Sequence, residues 1–172
     1  QDVGIGISIC EDIWIEDGPS SQQVENGASL IININASPYD QNKTDLRKEL
    51  VVNQAKKLGV PIIYLNMVGG QDELVFDGGS FVVDGKGEIL YQAQQFEEEL
   101  FYIDLDLEVK EHPKQSNLEI RQKSFELEPL QSALPLSKNE SLYAALKLGL
   151  FDYVSKNNFE KVLVGLSGGI DL

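Results

Sequence analysis

The sequence predicts an α/β protein: one half of a layered sandwich, then the opening of a second α/β unit. Three observations carry this. Near-continuous apolar runs alternate with helical patterns, as in sheets covered by helices. Two further short apolar runs flank the glycine-rich tetrad Asp84-Gly85-Lys86-Gly87. From about Asp106 to Pro135 the periodicity dissolves, and a helix, a strand and a glycine loop follow it.

Taken in order, Val3 to Ile9 mixes β-branched and small residues and predicts a strand that delivers Cys10. Residues 17–28 form a weaker helical stretch, with Val24 and Ala28 on one face. Leu30 to Asn35 predicts a short buried strand with a polar exit. From Asp40 to Leu58, Leu46, Leu50, Val51, Ala55 and Leu58 recur at three- and four-residue spacing, and Gly59 stops the pattern, so an amphipathic helix is expected. Val60 to Leu65 is the next strand, with Pro61 tolerable near its start. Ser80–Val83 and Glu88–Tyr91 predict a β-hairpin across the tetrad. Leu100 to Leu105 predicts a further strand. Pro113, Pro129 and Pro135 fall in the aperiodic stretch, which reads as a linker. Ser137 or Asn139 then caps a helix to about Asn157, with Leu142, Ala145, Leu146, Gly149, Leu150, Tyr153 and Val154 as its stripe. Lys161 to Leu166 predicts a strand feeding Ser167-Gly168-Gly169.

Composition narrows the function. The chain has 172 residues, 42% of them hydrophobic, and 28 Asp+Glu against 14 Lys+Arg give a net charge of −14. That balance argues against a nucleic-acid partner, which needs clustered basic charge. No apolar run reaches the ~18 residues that span a bilayer, so no membrane partner is expected. One cysteine excludes an internal disulfide framework and fits a reducing, cytoplasmic compartment. One histidine, His112, leaves little room for a His-rich metal site. The chain opens on Gln1, its only methionine is Met67, and it stops inside a glycine-rich loop. It reads as a segment of a longer polypeptide.

Cys10 is the first chemical candidate, because a thiolate at a strand end is a good acyl-transfer nucleophile once a base takes its proton. Against that, free cysteines are commonly buried and inert. His112 is a poor partner, since it lies in the linker beside Pro113. Ser37, at the exit of the second strand, and Lys43, at the start of the long helix, suit a polar, carboxylate-bearing ligand; equally, Ser37-Pro38 is a turn and Lys43 a solvated charge. The glycines of Met67–Glu73 line a site or simply turn the chain. Ser167-Gly168-Gly169-Ile170-Asp171 has the small residues of an anion nest, with Asp171 a candidate Mg²⁺ ligand, although a Gly-Gly turn alone is common.

Together these motifs resemble a known family. Gly6-Ile7-Ser8-Ile9-Cys10-Glu11-Asp12-Ile13-Trp14 resembles the nucleophile segment of the nitrilase (carbon–nitrogen hydrolase) superfamily. Asn35-Ala36-Ser37-Pro38-Tyr39 and Val68 to Ser80 resemble the glutaminase domain of one branch, the glutamine-dependent NAD synthetases, and Gly165 to Asp171 resembles the pyrophosphate loop of their synthetase domain. The resemblance implies part of a nitrilase-like α-β-β-α sandwich over residues 1–106, a linker over 107–136, and the first helix-strand of a nucleotide-binding α/β domain over 137–172. It implies Cys10 as the nucleophile of glutamine amide hydrolysis, with Ser37 and Lys43 holding the glutamine. The base and the oxyanion lysine would lie upstream of Gln1. ATP would be held by Gly165, Leu166, Ser167, Gly168, Gly169, Ile170 and Asp171, with Mg²⁺ at Asp171. Ammonia from a glutaminase step that needs no cofactor would convert deamido-NAD to NAD, in a full-length homo-oligomer. This segment alone is expected to be inactive. A stand-alone amidase and a non-catalytic interaction module are the competing readings.

Overall fold

The computed structural model describes residues 3–108, 130–165 and 168. Its centre is a five-stranded sheet in the order β1-β2-β3-β6-β7. The parallel trio is β1 (Ile5–Ile9), β2 (Leu30–Asn35) and β3 (Ile62–Asn66); β6 (Phe81–Val83) and β7 (Ile89–Gln92) continue it antiparallel. A separate two-stranded sheet pairs β4 (Val68–Gln71) with β5 (Leu74–Asp77). The predicted hairpin across Asp84–Gly87 is thus present as β6 and β7. Two helices connect the parallel strands: α1 (Pro19–Glu25) and α2 (Lys43–Leu58), the latter ended by Gly59 in the left-handed region at φ 65.

One face of the sheet is closed by these helices. Ile31, Ile62, Tyr64, Phe81 and Val83 pack there with Val51 and Ala55 of α2 and with Ile13, and each fully buried aliphatic or aromatic side chain is worth ~1.5–3 kcal/mol. The contact row of α2 differs from expectation. Arg47, Val51, Gln54 and Ala55 face inward, while Leu46 is 48% exposed.

The other face is covered only in part. Phe101, Ile103 and Leu105 lie on Val82, Tyr91 and Ala93. Their alternate burial keeps the period of two, but residues 100–105 form no strand, a correction to the sequence reading. A strand is defined by its ladder, and this stretch contributes side chains without one. Toward β1 the same face is bare, with Ile5, Ile7, Ile9 and Ile34 between 47% and 66% exposed.

The C-terminal helix, α3 (Lys138–Lys156), starts where predicted: Ser137 caps it, with its Oγ accepting from Glu140 N–H and its own N–H donating to Glu140 Oε2 at 2.9 Å. Its docking keeps Ala145 and Gly149 of the expected stripe and corrects the large apolar members. Ser141 and Ala145 are buried and Gly149 and Asp152 meet the β4–β5 sheet, whereas Leu142, Leu146, Leu150 and Tyr153 are 40–66% exposed. Residues 161–165 form no strand either, and Val162, Leu163 and Val164 are exposed, because none of the described strands pairs with them. The end of the expected linker is not free: Ala133 N–H donates to Gln92 O at 2.8 Å, along the outer edge of β7. Its residues 109–129, including His112, lie outside the described ones.

Candidate active site

The carboxyl ends of β1, β2 and β3 lie side by side, the usual place for a ligand on a parallel sheet. Cys10 follows β1 directly and opens a short 3-10 turn, Cys10–Trp14. Its φ is +50, a left-handed conformation that costs an L residue on the order of 1–3 kcal/mol. The turn is over-determined by its neighbours. Ile9 N–H donates to Asp12 Oδ2 at 2.9 Å, Gln54 Nε2 of α2 donates to Ile13 O and Ile15 O, and Asn33 Nδ2 donates to Ser8 Oγ at 3.0 Å and to Cys10 O at 3.4 Å. The thiol is half-buried, and among the described residues it makes no hydrogen bond. A sharp turn at a strand end thus presents a half-buried sulfur with no hydrogen-bonding partner among the described residues.

Ser37 is 7% exposed at the exit of β2. Asn66, at the end of β3, accepts its N–H at 2.9 Å. The chain then meets the small sheet through a bridge between Pro38 and Phe76 and a 2.7 Å bond from Tyr39 N–H to Val75 O. Tyr64, 2% exposed on β3, lies within the field of both candidates. Burial raises its phenol pKa. The Arg47 guanidinium and the Ser37 hydroxyl oppose that rise, while the charges of Asp77 and Cys10 add to it. The Tyr64 hydroxyl has no partner in hydrogen-bonding geometry among the described residues.

Lys43 starts α2, half-buried, and forms no ion pair among the described residues. Sequence reasoning missed the charge four residues on. Arg47 is 3% exposed and pairs with Asp77, 1% exposed, at 2.9 Å. The signal was available: Arg47 lies on the row of Val51 and Ala55, four and eight residues later, where a solvated charge does not belong. A cavity of 110 Å³ between α2 and α3, lined by Tyr39, Thr44, Lys48, Gln95, Leu134 and Ser141 among others, contains neither Cys10 nor Ser37.

Leu166, Ser167, Gly169, Ile170 and Asp171 lie outside the described residues. A Cβ built on Gly165 or Gly168, the described residues of the glycine loop, would meet nothing within 4 Å. No group of His, Cys, Asp and Glu among the described residues is arranged to hold a metal, and none of the described helices is long and apolar enough to cross a membrane.

The chain is similar to known proteins. Residues 1–112 match the carbon-nitrogen hydrolase family. The chain is 44% identical to a glutamine-dependent NAD(+) synthetase of Thermotoga maritima over 98% of its own length, and 41% identical to that of Aquifex aeolicus over 97%. It spans about a third of those relatives, 32% of each. Among solved structures, the glutamine-dependent NAD+ synthetase of Acinetobacter baumannii in complex with ADP superposes with a TM-score of 0.76 at 36% identity, covering 97% of this chain and 29% of that one. With its thiol-bearing turn at the carboxyl edge of the sheet, the chain belongs to the carbon–nitrogen hydrolase family.

Proposed function

We propose that this chain is the nucleophile-bearing part of a glutamine-dependent NAD(+) synthetase. The observation that carries the reading is end-to-end similarity: relatives of that name match 97–99% of the chain at 38–44% identity, across both the sheet and the C-terminal helix. In this reading residues 1–106 are the second half of the glutaminase domain, 107–136 a linker, and 137–172 the start of the synthetase domain. The bare isoleucine face of β1 and β2 supports a sandwich whose second sheet lies elsewhere in the whole protein.

The chemistry follows from the turn. The Cys10 thiolate attacks the side-chain amide carbon of glutamine, a C–S bond forms, and the C–N bond breaks as ammonia leaves with a proton. Water then cleaves the thioester to glutamate and restores the thiol. The general base belongs to the half of the domain beyond this chain. Ser37 and the Lys43 ammonium hold the polar ends of the glutamine. ATP, bound by the loop Gly165 to Asp171 with Mg²⁺ at Asp171, would activate the carboxylate of deamido-NAD that ammonia attacks. The intact protein is a cytoplasmic homo-oligomer in this reading.

The test uses the intact protein. Cys10→Ala is expected to abolish NAD formation from glutamine and to spare formation from free ammonium. Undiminished glutamine use by that variant overturns the assignment.

A further inference from the structure

The buried Arg47–Asp77 pair has no chemical role in the scheme above, and its stability value does not account for it. A buried ion pair is often no better than well-packed apolar residues of the same volume. This one is not even fully satisfied, for Arg47 Nε is buried with no partner among the described residues. What the pair does make is geometry. Arg47 Nη1 reaches both Asp77 oxygens, at 2.9 and 3.1 Å, and Nη2 reaches Ser37 O at 3.1 Å and Pro38 O at 2.6 Å. Asp77 is held in turn by Gln95 Nε2 at 3.1 Å and Asn66 Nδ2 at 3.4 Å. Where β2 ends, the Ser37–Pro38 segment has left the main sheet, and Pro38 has no N–H to anchor it. One planar guanidinium therefore fixes two successive carbonyls of that segment against a carboxylate that ends β5.

We infer that Arg47, locked by Asp77, is a positioning residue that sets the Ser37 segment opposite Cys10 for the amide substrate. The inference rests on the reading of Cys10 and Ser37 as the glutamine site. Only a forked cation reaches both carbonyls and the carboxylate together, so Arg47→Lys keeps the charge and loses the register.

The experiment measures steady-state kinetics of the intact protein with glutamine and, separately, with ammonium. Arg47→Lys is expected to lower kcat/KM for glutamine by about 100-fold, the cost of a misplacement near 1 Å, chiefly through KM. Ammonium-dependent turnover should stay within about twofold of the unaltered protein, and so should the rate at which iodoacetamide alkylates Cys10. Asp77→Asn is expected to give the same split, which covers an Arg47→Lys protein too unstable to assay. An unchanged glutamine KM in both variants overturns the inference, and so does parallel loss of both activities with a lowered melting temperature, which marks a merely structural pair. If the unaltered protein makes no NAD from glutamine yet hydrolyses another amide at Cys10, the functional reading fails while the KM of that amide still tests Arg47.

Discussion

Helices α2 and α3 are of similar length and build opposite kinds of interface. α2 turns a mixed row inward, Arg47, Val51, Gln54 and Ala55, and each polar member braces part of the candidate site. Gln54 holds the turn behind Cys10, and Arg47 holds the Ser37 segment. α3 docks through small and polar residues and keeps its large apolar ones outside. Gly149 lies so close to Gly70 that a Cβ on Gly70 would stand 3.0 Å from the Gly149 Cα. Asp152 accepts the Gly70 N–H at 2.6 Å, Lys156 donates to Gly70 O at 2.5 Å, and Tyr39 and Ser141 share a 2.8 Å hydrogen bond. The difference teaches that α2 is part of the first unit's core, whereas α3 leans on that unit by a narrow seam and offers its main apolar surface to something else.

The contrast is sharpest at Arg47. Removing only the cation, as Arg47→Met, leaves Asp77 charged and buried, and urea titration of this chain should show a loss of about 3–5 kcal/mol. Adding Asp77→Leu should restore most of it. A single variant within 1 kcal/mol of the parent would mean that water reaches the pair and that the core of α2 ends before it. The next effect is at the seam. Gly149→Val puts a branched side chain where a lone Cβ already meets Val75 Cγ2 at 3.0 Å, and overpacking should cost about 1–3 kcal/mol or undock α3. The control, Leu146→Glu on the outer face, should change stability by less than about 0.5 kcal/mol. Equal costs at the two positions would show that α3 docks through its leucines as well as through Gly149.

The smallest effect separates the helix starts. α3 has a capping box and α2 has no side-chain cap. The Ser137 hydroxyl and backbone N–H hold the Glu140 carboxyl below its ordinary value of 4.5. A depressed carboxylate pKa stabilises the fold above the unfolded value, and that contribution fades as pH falls from 4.5 through the lower folded value. Amide protection at the first turn of α3, relative to the intrinsic exchange rate, should fall across that window, and Ser137→Ala, which keeps only the backbone N–H bond to Glu140, should weaken the pH dependence. An identical response at the first turn of α2 would dissolve the distinction.

These outcomes bear on what can be read without coordinates. The parallel strands, the hairpin and both long helices were legible because burial imposes a period on the residues. Periodicity does not show whether a strand finds a partner, so 100–105 and 161–165 carry strand patterns without ladders. Nor does it show which side of a helix docks. In α3 the most apolar side is not the one in contact, since a close seam against β4 needs Gly149 and Ala145 more than leucines. Cys10, Ser37 and Lys43 could be singled out by their places at strand and helix ends. Arg47 hid behind the habit of treating a helix charge as solvated. The backbone of Cys10 was invisible, for strand alternation says nothing about the sign of φ at the residue that leaves the strand.

That sign has a corollary for the molecule's robustness. A left-handed cysteine stores strain at the point where reactivity is wanted, and glycine would occupy the same φ without steric objection. The turn would be more relaxed carrying no sulfur at all. Efforts to harden this protein against heat therefore point toward discarding the residue proposed as its nucleophile, and a programme that ranks variants by melting temperature alone would select against the proposed chemistry.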